Sequence, residues 1–335
     1  ATIDSPANPN LRWEQTRTSN LGVDFSLMTN RIRGSIDYYH KVAKDVFSNK
    51  SLDPTSGFTS MFVNTADMSN NGIEVQVTAD WLRPGTRKAF GWSTSYTLAH
   101  NSNKVTNVEN PSMYAYQLLT NRFVKGYPAS ALWSYKFAGI DDGKISGPGE
   151  TLWYGEGGTI SHSVQNASTD VMEYSGQTDP KVIMGMDNRF EWNGISLSVM
   201  MVYYGGHVMR CLQETEYGQG SIAGALPSYL VNSWTPQHPT STPGFGQYGS
   251  TSIGNESYYG NNSIYNASFL KIRNIVLGYE FPKEMLHHLS LNRLAFNIQV
   301  DNPKALWTAN KKGIDPETLG VRTRSNYIFS IFVNY

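Results

Sequence analysis

The chain has 335 residues, of which 16% are charged and 13% are aromatic. Lys and Arg together number 27, as do Asp and Glu, so the chain has no basic field of the kind that nucleic-acid binding requires, and we expect no nucleic-acid partner. The mean hydropathy of −0.40 and the lack of an apolar run of about 18 residues exclude a membrane-spanning helix, whereas a transmembrane barrel stays possible because its strands alternate.

The single cysteine and the amino terminus narrow the class of protein further. Cys211 has no second cysteine to pair with, so no internal disulfide holds the fold. The first residues show no basic region followed by an apolar core, so we expect a mature or partial chain.

The first predicted elements form a hairpin. Apolar and polar residues alternate over 20–27, the residues 28–30 reverse the chain, and the alternation resumes over 32–39. Side chains on a strand point to alternate faces, so this pattern predicts two paired strands, each with one apolar face.

A second pair of strands is predicted over 73–81 and 92–98, with a tight turn at 83–86. Glu74 and Asp80 lie on the polar face of the first of these strands. The core of a soluble protein would not accept such acids, so the pattern indicates a wet surface on that side.

A long irregular stretch over 101–180 separates these strands from the next hairpin. Alternation returns over 184–192, and Asn193-Gly194 then reverses the chain into 197–203, which is a strong hairpin signal. The polar file of the first strand carries Asp187, Arg189 and Glu191, which could be catalytic groups but are more simply explained as the wet inner wall of a barrel.

The remaining chain contains a second irregular stretch over 205–263, strands over 268–282 and 294–300, and a loop over 301–323. The final strand, 324–335, carries Tyr327, Phe329, Ile331, Val333 and Tyr335 on one file. An apolar face bounded by aromatic residues suits a barrel strand whose rings lie at the two edges of a bilayer, although an edge strand of a soluble sandwich has the same pattern.

The order of the connections favours the barrel. Short links near residues 28, 84, 194 and 285 alternate with long links at 46–62, 101–180, 205–263 and 302–323. Outer-membrane barrels have this asymmetry, with short periplasmic turns and long extracellular loops. The sequence therefore predicts an all-β fold, a partial transmembrane antiparallel barrel with about nine spanning strands.

Several short motifs stand out along the chain. The segment 268–282 reads SFLKIRNIVLGYEFP, and the others are NPNLRWE at 8–14, GSIDYY at 34–39, NGIE at 71–74, GYP at 126–128, WTP at 234–236 and GIDPE at 313–317. Together they resemble the SusC/RagA family of TonB-linked outer-membrane transporters of Bacteroidota. The segment 268–282 is the most specific, because it is near the family's SFLRLKNITLGYxLP, whereas the other motifs are weak alone but occur in the family's order.

The resemblance implies that residues 1–335 are the carboxy-terminal part of a TonB-dependent receptor β-barrel domain, about the last nine of 22 strands. It also implies that the plug and the amino-terminal extension are absent from this sequence. The expected partners are that amino-terminal part with the plug and remaining strands, TonB acting through the plug, a SusD-like surface lipoprotein, outer-membrane lipid, and a glycan or peptide substrate.

The resemblance implies import of oligosaccharides or oligopeptides without covalent chemistry, and we expect no catalytic residue, no cofactor and no metal. An alternative is a soluble, secreted carbohydrate-binding β protein. A calcium site at Asp141-Asp142-Gly143 with Glu150 is a weaker possibility, because its spacing matches no known loop. Flat rings can stack on sugars or apolar side chains. The candidate substrate-binding residues are therefore the loop aromatics Trp133, Trp153, Tyr154, Trp234, Tyr258, Tyr259 and Trp307.

Overall fold

The computed structural model describes residues 6–58, 60–109, 111–120, 123–145, 147–211, 232–240, 258–287, 290–320 and 322–335. In chain order the strands are β1 (Gln15–Leu27), β2 (Ile32–Ser51), β3 (Ser60–Leu82), β4 (Gly91–Val108), β5 (Ala131–Tyr135), β6 (Phe137–Ile140), β7 (Thr151–Tyr154), β8 (Ile160–Ser161), β9 (Met172–Gln177), β10 (Val182–Trp192), β11 (Ile195–Gly205), β12 (Val208–Arg210), β13 (Ile264–Asn266), β14 (Phe269–Glu280), β15 (Arg293–Asp301), β16 (Trp307–Thr308) and β17 (Asn326–Asn334). The helices are α1 (Ala115–Leu118) and α2 (Lys283–His287), and the described 3-10 turns are Pro54–Ser56, Glu156–Gly158, Thr169–Val171 and Asn261–Ser263.

One large sheet dominates the described part of the chain. Its order is β1-β2-β3-β4-β10-β11-β14-β15-β17, with β16 paired to β14 beside this path. Every neighbouring pair on the path is antiparallel. The nine strands in simple succession confirm the predicted number and the all-β class.

The register of these pairs places the apolar files on one face. Val23 lies opposite Ile36, Ile36 opposite Val75, and Val75 opposite Leu98, and directly opposite residues share a face. At the other side of the sheet Ile298 lies opposite Phe329 on the same face. The side chains of this face are exposed: Leu21 is 71% exposed and Phe329 is 74% exposed. A continuous apolar surface of this extent requires a non-aqueous neighbour.

The short connections join the strands at the same end of the sheet, here called the turn end. Met28, Thr29 and Asn30 all have positive φ, between 51° and 64°, and close the β1–β2 hairpin. Asn193 and Gly194 have φ values of 48° and 86° and close the β10–β11 hairpin, as Asn-Gly predicts. A Cβ on Gly194 would lie 2.5 Å from the Glu280 carbonyl oxygen, so this turn requires glycine.

The large connections join the strands at the opposite end, here called the loop end. These are the first large loop (109–181), the second large loop (206–268) and the last loop (302–325). The predicted long link at 46–62 is wrong, because β2 continues to Ser51 and β3 begins at Ser60.

The missed strand extensions have a physical cause. Bulges between Ala43 and Val46 and between Asp67 and Met68 reset the alternation between the two faces. Beyond the apolar band both faces of a strand are also polar, so periodicity no longer marks it. For the same reason β4 runs to Val108, into the stretch that the sequence predicted to be irregular.

No helix within the described ranges is both long enough and apolar enough to span a membrane.

Candidate functional site

The polar face of the sheet carries the charged residues that the sequence placed on an inner wall. Asp187 alternates with the apolar file of β10, and its carboxylate accepts a hydrogen bond from Ser198 Oγ at 2.8 Å. Arg189 Nε lies 2.6 Å from Glu191 Oε1. Asp80 pairs with Arg33 and Arg83 at the turn end. These carboxylates are neutralised or hydrogen-bonded across the wall, which suits a wet lining better than a catalytic acid and base.

Two cavities lie along this polar face, here called the concave face. The larger, of about 730 Å³, lies at the turn end and is lined in part by Arg87, Arg189, Glu191, Glu280 and Arg293. The smaller, of about 550 Å³, lies against β1–β4. Its lining includes Asn20, Asp37, Tyr39, Lys41, Asn70 and Glu74.

The first large loop folds around a core of its own. The strand β5 pairs with β9, and β6, β7 and β8 form a second small sheet. Ala115, Leu118, Trp133, Tyr135, Trp153, Val164, Val171 and Met172 form a buried cluster there. Local strands and a local core give the described part of this loop a fixed shape.

The second large loop is fastened to the first by a partly buried arginine and a close turn. Arg210 Nη2 donates to the Trp133 carbonyl oxygen at 2.7 Å, and its guanidinium lies 4.7 Å from the centre of the Tyr259 ring. Burial lowers the pKa of Arg210 to about 10, so it stays charged at neutral pH. A Cβ on Gly260 would lie 2.6 Å from the Trp153 ring, so only glycine permits this approach.

The last loop is held to the inner side of β14 by an ion network. Lys271 Nζ lies 2.6 Å from Asp315 and 2.9 Å from Glu317, and Arg273 also pairs with Glu317. Hydrogen bonding from Arg273, together with Lys271, holds the pKa of Glu317 at about 2. The sequence singled out both segments as motifs but gave no sign that they are in contact.

The structure separates the predicted loop aromatics into three groups. Trp133 is 8% exposed and Trp153 is fully buried, so both rings belong to the core of the first large loop. Tyr154 is 43% exposed and Trp307 is 44% exposed. Ligand contact stays a prediction for all seven residues, and three of them are partly buried: Trp234, Tyr258 and Tyr259.

In the acidic segment considered for calcium, the Asp141 carboxylate is hydrogen-bonded to backbone N–H groups. The Asp141 carboxylate accepts hydrogen bonds from the N–H groups of Gly143 and Lys144 at 2.9 and 3.0 Å. Asp142 pairs with Lys144. Within the described ranges, His, Cys, Asp and Glu side chains form no cluster of three that could hold a metal ion. Asp141 therefore closes a loop, as a turn-forming Asp does.

A sheet with an exposed apolar face, a charged concave face and its long loops gathered at one end defines the wall of a transmembrane β-barrel. A model of the family described as TonB dependent receptor-like, beta-barrel matches residues 1–302. The chain belongs to this family. Proteins of the family lie in the bacterial outer membrane, and so does this chain; they are transporters rather than enzymes.

Curated relatives agree with the family match. TonB-dependent receptor P3 of Formosa agariphila is 24% identical over 327 residues, which cover 93% of this chain and 31% of that receptor. TonB-dependent receptor SusC of Bacteroides thetaiotaomicron is 25% identical over 340 residues, covering 92% of this chain and 30% of SusC. The chain thus spans about a third of the length of these relatives. Together they confirm the resemblance read from the motifs.

Solved structures show the same fold. The RagAB peptide transporter matches with a TM-score of 0.78 and 22% identity, over 100% of this chain and 36% of that chain. The RagAB peptide importer in its open-open state matches with a TM-score of 0.76. The partial barrel predicted from the sequence is confirmed as a fold by this likeness.

Proposed function

We propose that this chain is the carboxy-terminal barrel segment of a SusC-like importer, which takes up oligosaccharides or oligopeptides across the outer membrane together with a SusD-like lipoprotein. One observation carries the proposal: the nine-strand sheet carries apolar side chains on one face and charged and polar side chains on the other. A hydrophilic molecule can follow the concave face while the other face stays in lipid.

The proposal includes the parts that a partial barrel needs. Within the described part of the chain, β1 and β17 each pair along one side only. Unpaired backbone groups in hydrocarbon cost several kcal/mol each, so both edges require further strands. We assign these strands, with a plug that TonB displaces, to an amino-terminal part of the same transporter.

The loop end is the proposed entry for the substrate. Tyr154 and Trp307 keep exposed rings there, and rings of this kind stack on sugar faces or apolar side chains. The likeness to the RagAB peptide transporter supports the oligopeptide class, and the aromatic surface supports the oligosaccharide class equally. The SusD-like partner would cover this end from outside.

The test is uptake by cells that carry the complete receptor. Labelled oligosaccharides and oligopeptides are offered to cells with the intact receptor, to cells lacking residues 1–335 of this segment, and to cells lacking TonB. The proposal expects uptake of one class by the intact cells alone. Equal uptake by all three strains for both classes would contradict it.

A further inference from the structure

The last loop borders an open cavity that is separate from the two on the wall. Its volume is about 330 Å³, at the lower end of the range of roughly 300–1,000 Å³ that small-molecule sites occupy. Its lining includes Lys271, Lys304, Trp307, Lys311, Asp315 and Arg322. The lining thus carries four cations against one carboxylate, so its net charge is positive.

The carboxylate in this cavity is already neutralised. Both Asp315 oxygens accept hydrogen bonds from Lys271 Nζ, at 2.6 and 2.8 Å. Glu317, the other acid of the last loop, is paired with Lys271 and Arg273. The two acids of the loop are therefore paired with two cations of β14. They do not neutralise the cations of the loop itself.

Among the described residues, three cations of the lining have no carboxylate partner. In the described part of the chain, no carboxylate lies within ion-pair distance of Lys304, Lys311 or Arg322. Arg322 Nη2 donates to the Asn302 carbonyl oxygen at 3.1 Å, which orients the guanidinium without neutralising it. Three uncompensated cations around one concavity attract an anion more strongly than any one of them would.

A fixed aromatic ring borders the same cavity. Trp307 belongs to β16, whose pairing with Leu270 of β14 fixes its backbone. Its side chain is 44% exposed, so one part of the indole is packed and the rest is free. A half-exposed indole beside cations provides a stacking surface next to a charge, which suits a sugar ring that carries an acidic group.

We propose that this cavity binds an acidic group, a carboxylate or a sulfate, of an anionic oligosaccharide. Lys304, Lys311 and Arg322 provide the counter-charges, and Trp307 stacks on the sugar. This inference rests on the proposed import function, which it narrows to an acidic class of substrate.

The experiment compares two probes with the same sugar backbone, one with free carboxylates and one with neutral methyl esters. Binding of tetragalacturonate and of its methyl ester to the complete, detergent-purified receptor is measured by calorimetry. We expect the acid to bind about tenfold more tightly than the ester at low salt, and the difference to shrink at high salt, because salt screens exposed charges. Trp307→Ala should weaken both probes.

Matched variants assign the preference to this cavity. The triple variant Lys304→Gln, Lys311→Gln, Arg322→Gln should bind acid and ester equally, whereas Arg324→Gln, an exposed cation of the same loop outside the lining, should keep the preference. Equal affinity of the intact receptor for both probes, or an unchanged preference in the triple variant, would overturn the inference.

Two further arms separate the possible failures. Tetra-alanine with a free or an amidated carboxyl terminus tests whether any carboxylate suffices, and a preference seen with this pair alone would overturn the acidic-sugar assignment. Uptake of a neutral oligosaccharide by cells with the triple variant tests the import function separately. Normal uptake by the triple variant, together with equal binding of acid and ester by the intact receptor, would leave the proposed function standing while this inference fails.

Discussion

Lys271 of β14 and Asp315 of the last loop form a buried ion pair, with Nζ 2.6 Å from Oδ1 and side chains that are 11% and 5% exposed. The two residues lie 44 positions apart, in the two segments that carry the SFLKIRN and GIDPE motifs. The pair explains why both motifs carry charge at these positions, because each side chain requires the other once it leaves water.

Removing one partner of this pair should release the last loop. Lys271→Met leaves Asp315 buried without a counter-charge, which typically costs about 3–5 kcal/mol. The released loop exposes trypsin sites after Lys304, Lys311 and Arg322, so limited trypsinolysis of the receptor should cut it much faster. Lys41→Met, on the polar wall of β2, is the matched control and should leave cleavage unchanged. Equal resistance of Lys271→Met and the intact chain would contradict the anchoring role.

The Glu317 contacts predict a pH dependence of the same loop. Its pKa is about 2 in the folded chain, below the ordinary 4.5, because Arg273 and Lys271 bond its carboxylate. A lowered carboxyl pKa stabilises the folded loop above about pH 4.5, and this contribution is lost as the pH falls through about 2. Hydrogen exchange of the last loop, corrected for intrinsic rates, should show falling protection over that interval. The same fall in Glu317→Gln would count against this explanation.

The two faces of the sheet predict opposite tolerance to charge. Ile298→Arg places a cation on the apolar face and should cost roughly 2–4 kcal/mol if the residue lies near the bilayer midplane. Gln299→Arg, one residue further on, points to the concave face and should cost little. Folding of each variant into lipid vesicles measures the difference. Similar losses in both would show that the register of β15 is wrong.

Adjacent aromatics in β7 should behave differently. Trp153 is fully buried in the core of the first large loop, so Trp153→Ala should cost about 3–5 kcal/mol of the loop's stability and open it to proteases. Tyr154 is 43% exposed, and Tyr154→Ala should leave the loop folded. Protease sensitivity of the first large loop measures both. Opening of the loop by the tyrosine variant alone would reverse the assignment.

The sequence predicted the nine-strand wall well because one face of each strand meets lipid and the other meets water. Apolar and polar residues therefore alternate along each strand. Alternation alone assigns Val23, Ile36 and Ile298 to the apolar face, and the strand register agrees. This alternation ends where both faces of a strand meet polar surroundings. The part of β2 beyond Ala43 was therefore missed.

The loop sites could be predicted only in part. Aromatic residues in irregular segments are easy to find, but the sequence cannot separate Trp153, which packs, from Tyr154 beside it, which is exposed. Contacts between distant segments leave no local pattern, so the pairing of Lys271 with Asp315 emerged only from the fold. The cavity beside Trp307 was missed for the same reason.

The central claim is that this nine-strand sheet is an arc of a larger barrel, closed by strands from outside this sequence. A crosslinking map of the native receptor in its membrane, with cysteines introduced at Leu21 of β1 and Phe329 of β17, tests it most directly. We predict that each cysteine crosslinks to a strand of the amino-terminal part and that the two do not crosslink to each other. A direct crosslink between residues 21 and 329 would contradict the claim.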